Sequence, residues 1–183
     1  MKRCTWATTP LMITYHDEEW GEPAHDDRVL FEFLMLEGAQ AGLSWDTVLR
    51  KRDAYRKSFA RFNPKRVAIF TGDDVARLMQ NAGIIRNKAK IESAIGNARA
   101  FLEIQKECGS FDDFLWSYVD GKPVVRRPRA VGDVPPTSPL SDRLSNDLRK
   151  RGFRFVGSTI CYAYLQAVGV VNDHLATCFK SQK

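Results

Sequence analysis

The chain has 183 residues, 44% of them hydrophobic, and a formal net charge of +6. This length suits one domain, or two lobes that share a core. No run of about 18 apolar residues is present, which excludes a transmembrane helix and a membrane partner. The N-terminus lacks the apolar stretch of a secretory signal, so we expect a cytoplasmic protein whose thiols are reduced.

The charge is distributed unevenly along the chain. Residues 1–49 hold three Lys or Arg and nine Asp or Glu, whereas residues 50–183 hold 25 and 13. In the second part the basic residues come in bursts, at 50–57, 86–90, 126–129 and 149–154. Separate basic segments can converge in the fold and neutralise phosphates. The composition therefore favours a nucleic-acid partner over a surface that is merely well solvated.

The hydrophobic periodicity is helical nearly throughout, so the predicted fold class is all-α. In chain order, the expected helices run from Asp26 or Asp27 through Leu36, about Trp45 through Phe59, Pro64 to Phe70, Asp73 or Asp74 to Asn81, about Asn87 to Glu107, Ser110 through Tyr118, Ser141 to Arg151, and Ser158 to Val168. The first of these is apolar on most sides and should be buried. Residues 120–140 contain five prolines and are expected to form a loop.

A carboxylate stands among aromatic residues near the end of the first predicted helix. Glu37 follows a strongly apolar stretch, and a charged residue there needs a reason. Gly38 and Gly42 are expected to break the helix and to admit a ligand. With nearby aromatics, the carboxylate would suit a flat heteroaromatic base. The alternative is that the tryptophans are core and Glu37 pairs with an arginine. The candidate pocket residues are Glu37, Trp45, Trp6, Tyr15 and Trp20.

A glycine-containing turn at residues 81–87 is predicted to join two helices in a hairpin over about 78–92. Gly83 permits a backbone geometry that other residues resist. The helix after it would present free N–H groups and a positive dipole end to an anion. A helix-hairpin-helix grip on DNA and an ordinary pair of antiparallel helices both fit the pattern. The candidate DNA contacts are Gly83, Ile84, Ile85, Arg86, Lys88 and Lys90.

Two cysteine–histidine pairs lie at opposite ends of the chain. Cys4 and His16 form the first, and His174 and Cys178 the second, whose spacing would place both on one face of a helical turn. Two thiolates and two imidazoles make a tetrahedral zinc set without an open position, so the ion would be structural. The alternative is unrelated thiols and imidazoles. The other cysteines, 108 and 161, lie in helical patterns and are expected to be buried.

Blocks spread over nearly the whole chain resemble the bacterial 3-methyladenine DNA glycosylase I family. They are Arg3-Cys4-x-Trp6, Tyr15-His16-Asp17-x-Glu19-Trp20-Gly21, Leu36-Glu37-Gly38-x-Gln40-Ala41-Gly42-Leu43-Ser44-Trp45, Ala82-Gly83-Ile84-Ile85-Arg86, Arg151-Gly152-Phe153-x-Phe155-Val156-Gly157, and Val171-Asn172-Asp173-His174 with Cys178. One departure is Met12, which stands where some members have a further aromatic.

The resemblance implies a helix-hairpin-helix glycosylase fold, one domain over 1–183 with two helical lobes, and a zinc clasp from 1–20 and 170–180. It implies monofunctional hydrolysis of the N-glycosidic bond of 3-methyladenine in alkylated duplex DNA, the first step of base excision repair. The matching motif positions imply one structural zinc ion per chain and a pocket for the base. The zinc ligands would be Cys4, His16, His174 and Cys178, and the pocket residues Glu37, Tyr15, Trp45, Trp6 and Trp20.

The expected mechanism follows from the position of the methylated base, which is stacked inside the duplex. The target base must be flipped out of the duplex, and Glu37 would then recognise it and stabilise its positive charge. Leu43, beside Gly42, is a candidate wedge that fills the gap in the duplex. Asp112 and Asp113 fit a helix cap better than a catalytic role. We expect a monomer that associates with the nucleoid when it binds DNA.

Without the family resemblance, the residues allow three other hypotheses about the function. A non-catalytic helix-hairpin-helix module would bind or sense lesions in DNA without releasing a base. A metalloenzyme with catalytic zinc would need an open coordination position, against which a full set of four ligands argues. A small-molecule purine binder would leave the basic bursts without a use.

Overall fold

The computed structural model describes residues 1–182, and Lys183, the last residue of the predicted domain, lies outside the described residues. The fold is mainly helical. The helices are α1 (Pro10–Glu18), α2 (Asp27–Gln40), α3 (Trp45–Ser58), α4 (Pro64–Val67), α5 (Gly72–Gln80), α6 (Lys88–Cys108), α7 (Phe111–Trp116), α8 (Pro139–Lys150) and α9 (Ser158–Ala167). Short 3-10 turns lie at Ala60–Phe62, Ser117–Val119, Val131–Asp133 and Phe179–Gln182.

Helix α2 is the central helix of the core. The Asp26 carboxylate caps it by accepting from the backbone N–H groups of Arg28 and Val29, both at 3.0 Å. Every residue from 30 to 39 is buried, because α3, α6, α7 and α9 all pack against this helix. The prediction of a helix buried on most sides is therefore confirmed. Its last turns carry Glu37 into the interior.

The predicted helices are present, with small shifts at their ends. Asn63 and Asn87 cap α4 and α6, at the predicted starts of these two helices. Helix α4 ends at Val67 rather than Phe70, and α7 passes into a 3-10 turn after Trp116. Helix α1 was not predicted, although Thr9 followed by proline is a helix-start signal.

The proline-rich segment at 120–140 is mostly irregular, as predicted, but it contains one short strand. This strand, β1 (Val124–Val125), pairs in parallel with β2 (Val171–Asn172). The backbone N–H of Arg126 extends the pairing to the Asn172 carbonyl oxygen at 3.0 Å. The mainly helical class is therefore confirmed, and the sequence did not indicate this pair of two-residue strands, which holds the loop against the segment after α9.

An ion-pair cluster, buried at Arg52 and Glu32, joins the first three helices, and we call it the Arg52 cluster. The Arg52 guanidinium donates to Glu32 on α2 at 2.6 Å and to both carboxylate oxygens of Glu19, just after α1, at 2.7 Å each. Arg56 also donates to Glu32, at 2.9 Å. Because each carboxylate has a cationic partner, the cluster fixes how α1, α2 and α3 sit together.

Two predictions about single residues are wrong. Cys108 is exposed rather than buried, because it is the last residue of α6, whereas Cys161 is buried as expected. Gly38 does not break α2, which continues for two more residues. Within the described residues, no helix combines the length and apolarity needed to cross a membrane.

Candidate active site and metal centre

A cavity of about 290 Å³ opens between the N-terminal aromatics, the end of α2 and the loop before α8. Its walls are mostly aromatic and aliphatic, with Glu37, Gln40, Gln166 and Asp173 as polar members. The lining residues are Trp6, Met12, Tyr15, Trp20, Glu37, Gln40, Trp45, Val131, Val134, Ala163, Gln166, Asp173 and Leu175. All five residues predicted for the base pocket therefore share one cavity, and Met12 lies in the same wall.

Three elements place the aromatic walls. Tyr15 lies on α1 and Trp45 begins α3, and their ring centroids are 5.4 Å apart. The Thr9 hydroxyl donates to Asp46 at 3.0 Å and so joins the start of α1 to α3. Trp6 and Trp20 meet edge to face, with centroids 4.9 Å apart. All four rings line the cavity, and an aromatic lining suits a flat ligand.

Glu37 is a buried carboxylate with no ionic partner. Its exposed fraction is 3%, and no side chain or backbone group of residues 1–182 donates a hydrogen bond to it. Burial therefore raises the pKa of Glu37 to about 8. Burial, followed by the nearby Glu37, also raises the pKa of Tyr15 well above its usual value. A pairing of Glu37 with an arginine, the alternative from sequence, is absent from the described residues.

Trp45 brings an unused donor to the same cavity. Its indole N–H is buried and has no acceptor within the described chain. Buried polar groups are nearly always hydrogen-bonded, so such a group points to a partner that arrives with a ligand. The cavity thus combines aromatic faces, one free N–H donor and one carboxylate.

Three of the four predicted metal ligands come together at the chain termini. The ligand atoms of Cys4, His16 and Cys178 all lie within 4.8 Å of one another and are buried. His16 Nε2 lies 3.3 Å from Cys178 Sγ, and the Leu175 backbone N–H donates to Cys4 Sγ at 3.4 Å. Burial raises the pKa of Cys4 to about 12, so a thiolate at this position needs a cation beside it.

His174, the fourth predicted ligand, lies next to this group. Its ring centroid is 5.0 Å from that of His16, and its buried Nε2 has no hydrogen-bond partner among the described residues. Its Nδ1 faces Asn172 Oδ1 at 2.9 Å, and His16 Nδ1 faces Asp17 Oδ1 at 2.8 Å. Such bonds place the acceptor lone pair of each ring on Nε2, which is unpartnered in His174 and accepts from the Cys4 backbone N–H at 3.3 Å in His16. Burial lowers the pKa of His174 to about 4, which keeps it neutral. These residues fit a bound metal ion.

The helical turn expected for His174 and Cys178 is not present. Residues 173–178 form an irregular turn after β2, in which the Cys178 backbone N–H donates to the Leu175 carbonyl oxygen at 2.7 Å. The prediction that His174 and Cys178, four residues apart, lie on one helical turn is therefore wrong. The turn nevertheless brings both side chains to His16.

The predicted hairpin region joins α5 to α6 through residues 81–87. Asn81 orders the turn, since its Oδ1 accepts from the Gly83 backbone N–H at 2.8 Å. A Cβ on Gly83 would lie 2.8 Å from the Cβ of Ala54 on α3. The glycine is needed for this close approach and not for a left-handed backbone, which corrects the reason given from sequence. Ile84 is buried, whereas Arg86 is exposed at the turn.

The two lysines at the start of α6 have different surroundings. The Lys90 ammonium donates to the carbonyl oxygens of Ala39 and Ala41 at 2.8 and 2.6 Å, where α2 ends. Burial lowers its pKa. Lys88 is exposed and lies 3.8 Å from Glu92. Lys90 therefore holds the Glu37 end of α2, while Lys88 faces solvent.

Leu43 lies between α2 and α3, outside the described lining of the cavity. It is 41% exposed and follows Gly42, whose φ of +79° is a left-handed value that favours glycine. Gln40, which lines the cavity, donates to the Leu43 carbonyl oxygen at 3.2 Å. The two aspartates considered from sequence lie elsewhere: Asp113 accepts from Ser110 at the cap of α7, and Asp112 pairs with His25.

Contributions of α9 and the proline-rich loop to the cavity were not predicted. Gln166, Val131, Val134 and Asp173 all line it, and none was predicted as a site residue. Hydrophobic periodicity marks which face of an element is buried but not which distant segment it meets. The only available signal was Asp173, which lies within one of the blocks that carry the family resemblance.

Comparisons with known proteins agree with this geometry. The family model described as methyladenine glycosylase matches residues 5–181. DNA-3-methyladenine glycosylase 1 of Escherichia coli (strain K12) is 51% identical over 179 residues, which cover 97% of this chain and 96% of that protein.

Two solved structures share the fold over nearly the full length. A crystal structure of 3-methyladenine DNA glycosylase I has a TM-score of 0.95 at 52% identity, covering 97% of this chain and 98% of that chain. A tyrosine-to-phenylalanine variant of 3-methyladenine DNA glycosylase I in complex with 3-methyladenine has a TM-score of 0.96 at 38% identity, covering 100% and 99%. The chain therefore belongs to the methyladenine glycosylase family.

Proposed function

We propose that this protein hydrolyses the N-glycosidic bond of 3-methyladenine in alkylated duplex DNA, which is the first step of base excision repair. The observation that carries the proposal is Glu37, a buried carboxylate in an aromatic cavity of about 290 Å³ that has no ionic partner among residues 1–182. The family membership of the chain and the names of its relatives support the same activity.

The cavity is suited to a base that has left the helix. A glycosylase cannot reach its target bond inside a stacked duplex, so the nucleotide is rotated out into the enzyme. The faces of Tyr15 and Trp45, and the edges of Trp6 and Trp20, would enclose the extruded ring. Removing the base from water strengthens its electrostatic interaction with the carboxylate.

Glu37 would recognise the charge of the lesion. Methylation at N3 makes the base cationic and weakens its glycosidic bond, so less acid catalysis is needed. A cation beside Glu37 favours its ionised form, which burial otherwise opposes. Water then completes the displacement at the sugar. None of the described cavity-lining residues is a lysine, so we expect hydrolysis without strand cleavage.

The DNA would lie across the turn between α5 and α6. Free N–H groups at the start of α6, with the exposed Arg86 and Lys88, are suited to bind backbone phosphates. We propose that this turn acts as a helix-hairpin-helix element and that Leu43 fills the gap left by the flipped base. The protein would act as a monomeric single domain in the cytoplasm, on the nucleoid when bound to DNA.

We also propose one structural zinc ion per chain, held by Cys4, His16, His174 and Cys178. The free Nε2 of His174, the thiols and the orientation of both imidazoles support this set. A bound zinc would cross-link the two ends of the chain, and four protein ligands leave no position for catalytic water. Cys178→Ser should lose the single equivalent of zinc, whereas Cys108→Ser, at an exposed cysteine, should keep it.

The direct test is release of free base from methylated duplex DNA by the wild-type protein, Glu37→Gln and Glu37→Ala. We expect 3-methyladenine release by the wild type and a loss of about 100-fold or more in both variants, the scale of losing one preorganised electrostatic contact. DNA binding without base release by the wild type would instead indicate a lesion-sensing module. Equal release by the wild type and the variants would remove Glu37 from the mechanism.

A further inference from the structure

A second buried carboxylate, Asp173, lies in the wall of the cavity that contains Glu37. It follows β2 and is only 2% exposed. Glu37 reaches the cavity from α2, so the two carboxylates come from elements far apart in the sequence. The mechanism described above makes no use of Asp173.

One oxygen of Asp173 is fully engaged within the protein. Oδ2 accepts from the Tyr162 hydroxyl at 2.5 Å and from Gln166 Nε2 at 2.8 Å, both on α9. Arg126 donates to the Tyr162 hydroxyl at 2.8 Å and so supports the same arrangement. These bonds fix the orientation of the carboxylate.

The other oxygen has no hydrogen bond. Oδ1 is buried and without a hydrogen-bond partner among the described residues; the nearest cation, Arg126 Nε, is 3.9 Å away. That separation is too long for a hydrogen bond. Leaving a buried acceptor unsatisfied destabilises the protein, because the oxygen loses its hydrogen bonds to water without replacing them. Anchoring β2 to α9 needs only Oδ2, so anchoring does not explain the free oxygen.

The sign of the charge around the cavity indicates which ligand would satisfy this oxygen. Glu37 and Asp173 are the two acidic members of the described lining, which includes no Lys, Arg or His. The partly exposed Arg126 lies 3.9 Å from Asp173 Oδ1 and offsets part of the negative charge of that carboxylate. A cavity with this lining favours a cation over a neutral ring of nearly the same shape.

We propose that Asp173 is a second substrate-contacting carboxylate, which accepts a hydrogen bond from the flipped base through Oδ1 and selects cationic, ring-methylated purines over neutral ones. This inference rests on the proposed function. It assigns the discrimination between damaged and undamaged adenine to two carboxylates, Glu37 and Asp173, and not to one.

The test uses two small probes without DNA, so that duplex contacts do not enter. 3,9-Dimethyladeninium is a fixed cation, and 9-methyladenine is its neutral counterpart. Binding is followed by quenching of tryptophan fluorescence, since three tryptophans line the cavity. We expect Asp173→Asn to weaken binding of the cation by about 10- to 100-fold, the range for a hydrogen bond to a charged group, and to leave binding of the neutral probe nearly unchanged.

Asp147→Asn is the matched control. Asp147 also accepts from a tyrosine hydroxyl, that of Tyr118 at 2.6 Å, but it does not line the cavity. This variant should discriminate between the probes like the wild type. Zinc content and Tm are measured for every variant. If Asp173→Asn folds with zinc bound and keeps the wild-type preference for the cation, the proposal is wrong.

Arg126→Met gives an independent measurement if Asp173→Asn does not fold. Removing the nearby cation should strengthen the preference for the cationic probe several-fold, and an unchanged preference would overturn the proposal. Base release from methylated DNA by the wild type separates the two claims. Its absence contradicts the proposed function, whereas its presence with unchanged discrimination in the variants contradicts only the role of Asp173.

Discussion

Helix α2 carries two buried glutamates, Glu32 and Glu37, in opposite electrostatic situations. Glu32 is 9% exposed and accepts from both Arg52 and Arg56. Glu37 is 3% exposed and has no donor within the described residues. The same helix, the same side-chain type and similar burial therefore give one satisfied and one unsatisfied carboxylate.

The difference separates architecture from function. In the Arg52 cluster, charges are matched within the chain, and the result is a fixed arrangement of three helices. Glu37 has no cationic side chain beside it among the described residues, and burial raises the pKa of its carboxyl group to about 8. Buried groups perturbed by desolvation in a cavity are frequent at functional sites. The partner of Glu37 is to be sought in the ligand.

The largest effect is expected from breaking the matched site. Arg52→Met leaves Glu32 and Glu19 without their main partner, and removing one member of a buried pair costs about 3–5 kcal/mol. Arg50→Met is the control, since Arg50 forms an exposed pair with Asp46 and should cost less than about 1 kcal/mol. Guanidinium denaturation measures both. Equal losses would contradict the distinction between the two arginines.

The next effect comes from neutralising the unmatched site. The folded state holds the Glu37 proton up to pH 8, whereas the ordinary pKa is 4.5. Between pH 5 and 8 the unfolded chain has released this proton and the folded chain has not, so rising pH destabilises the wild type by up to about 1.4 kcal/mol per unit. Glu37→Gln lacks this effect and should become the more stable protein as pH rises.

Chemical denaturation at several pH values between 5 and 8 measures this divergence. Glu32→Gln is the control on the same helix, and it should be less stable than the wild type because Arg52 and Arg56 lose their shared anion. If the stabilities of the wild type and Glu37→Gln stay parallel over this range, Glu37 is not a buried, unpaired carboxylate.

The same ionisation of Glu37 should also appear in the rate of base release. If the ionised form of Glu37 receives the cationic base, single-turnover release at subsaturating enzyme should rise with pH, by at most about tenfold per unit, and level off near pH 8. Glu37→Gln should lose this dependence. A rate that falls as pH approaches 8 would show that Glu37 acts as a proton donor.

The smallest effect concerns Lys90, which holds the end of α2 next to Glu37. Lys90→Met should cost about 1 kcal/mol of stability through two lost hydrogen bonds and should leave the salt dependence of duplex binding unchanged. The salt dependence is the slope of the logarithm of the binding constant against the logarithm of the salt concentration. Arg86→Ala, at the exposed turn, should reduce the magnitude of this slope by about 0.9 if Arg86 contacts one phosphate. A reduced slope in Lys90→Met would make Lys90 a phosphate contact after all.

The parts of the fold that the sequence predicted are those with strong local signals. Helices α2, α3 and α6 are long and periodic, and Asp26, Ser44 and Asn87 cap them. Helix α1 was missed because it is short and mixes apolar and polar residues. The strand pair β1–β2 depends on two segments 47 residues apart, which a local pattern does not report.

The residues of the candidate site likewise fall into those with a local sequence signal and those without one. Glu37 and its neighbouring aromatics were found because a carboxylate in an apolar stretch is locally unusual, and the family resemblance added the rest. The hydrogen bonds of Lys90 to the end of α2 and the unpartnered oxygen of Asp173 could not be predicted from the sequence. Both depend on which distant segments lie next to them in the fold. The steric reason for Gly83 depends in the same way on α3.

The meeting of the two ends of the chain has a consequence for synthesis. Cys178 contacts His16 across 162 positions, and Leu175 contacts Cys4 across 171. Closing so long a loop comes late in folding, because its entropy must be paid before the contact forms. On the ribosome, Trp6 and Trp20 would complete their wall of the cavity only after Leu175 and Cys178 have emerged. A nascent chain would therefore carry the turn at 81–87 long before it could enclose a base.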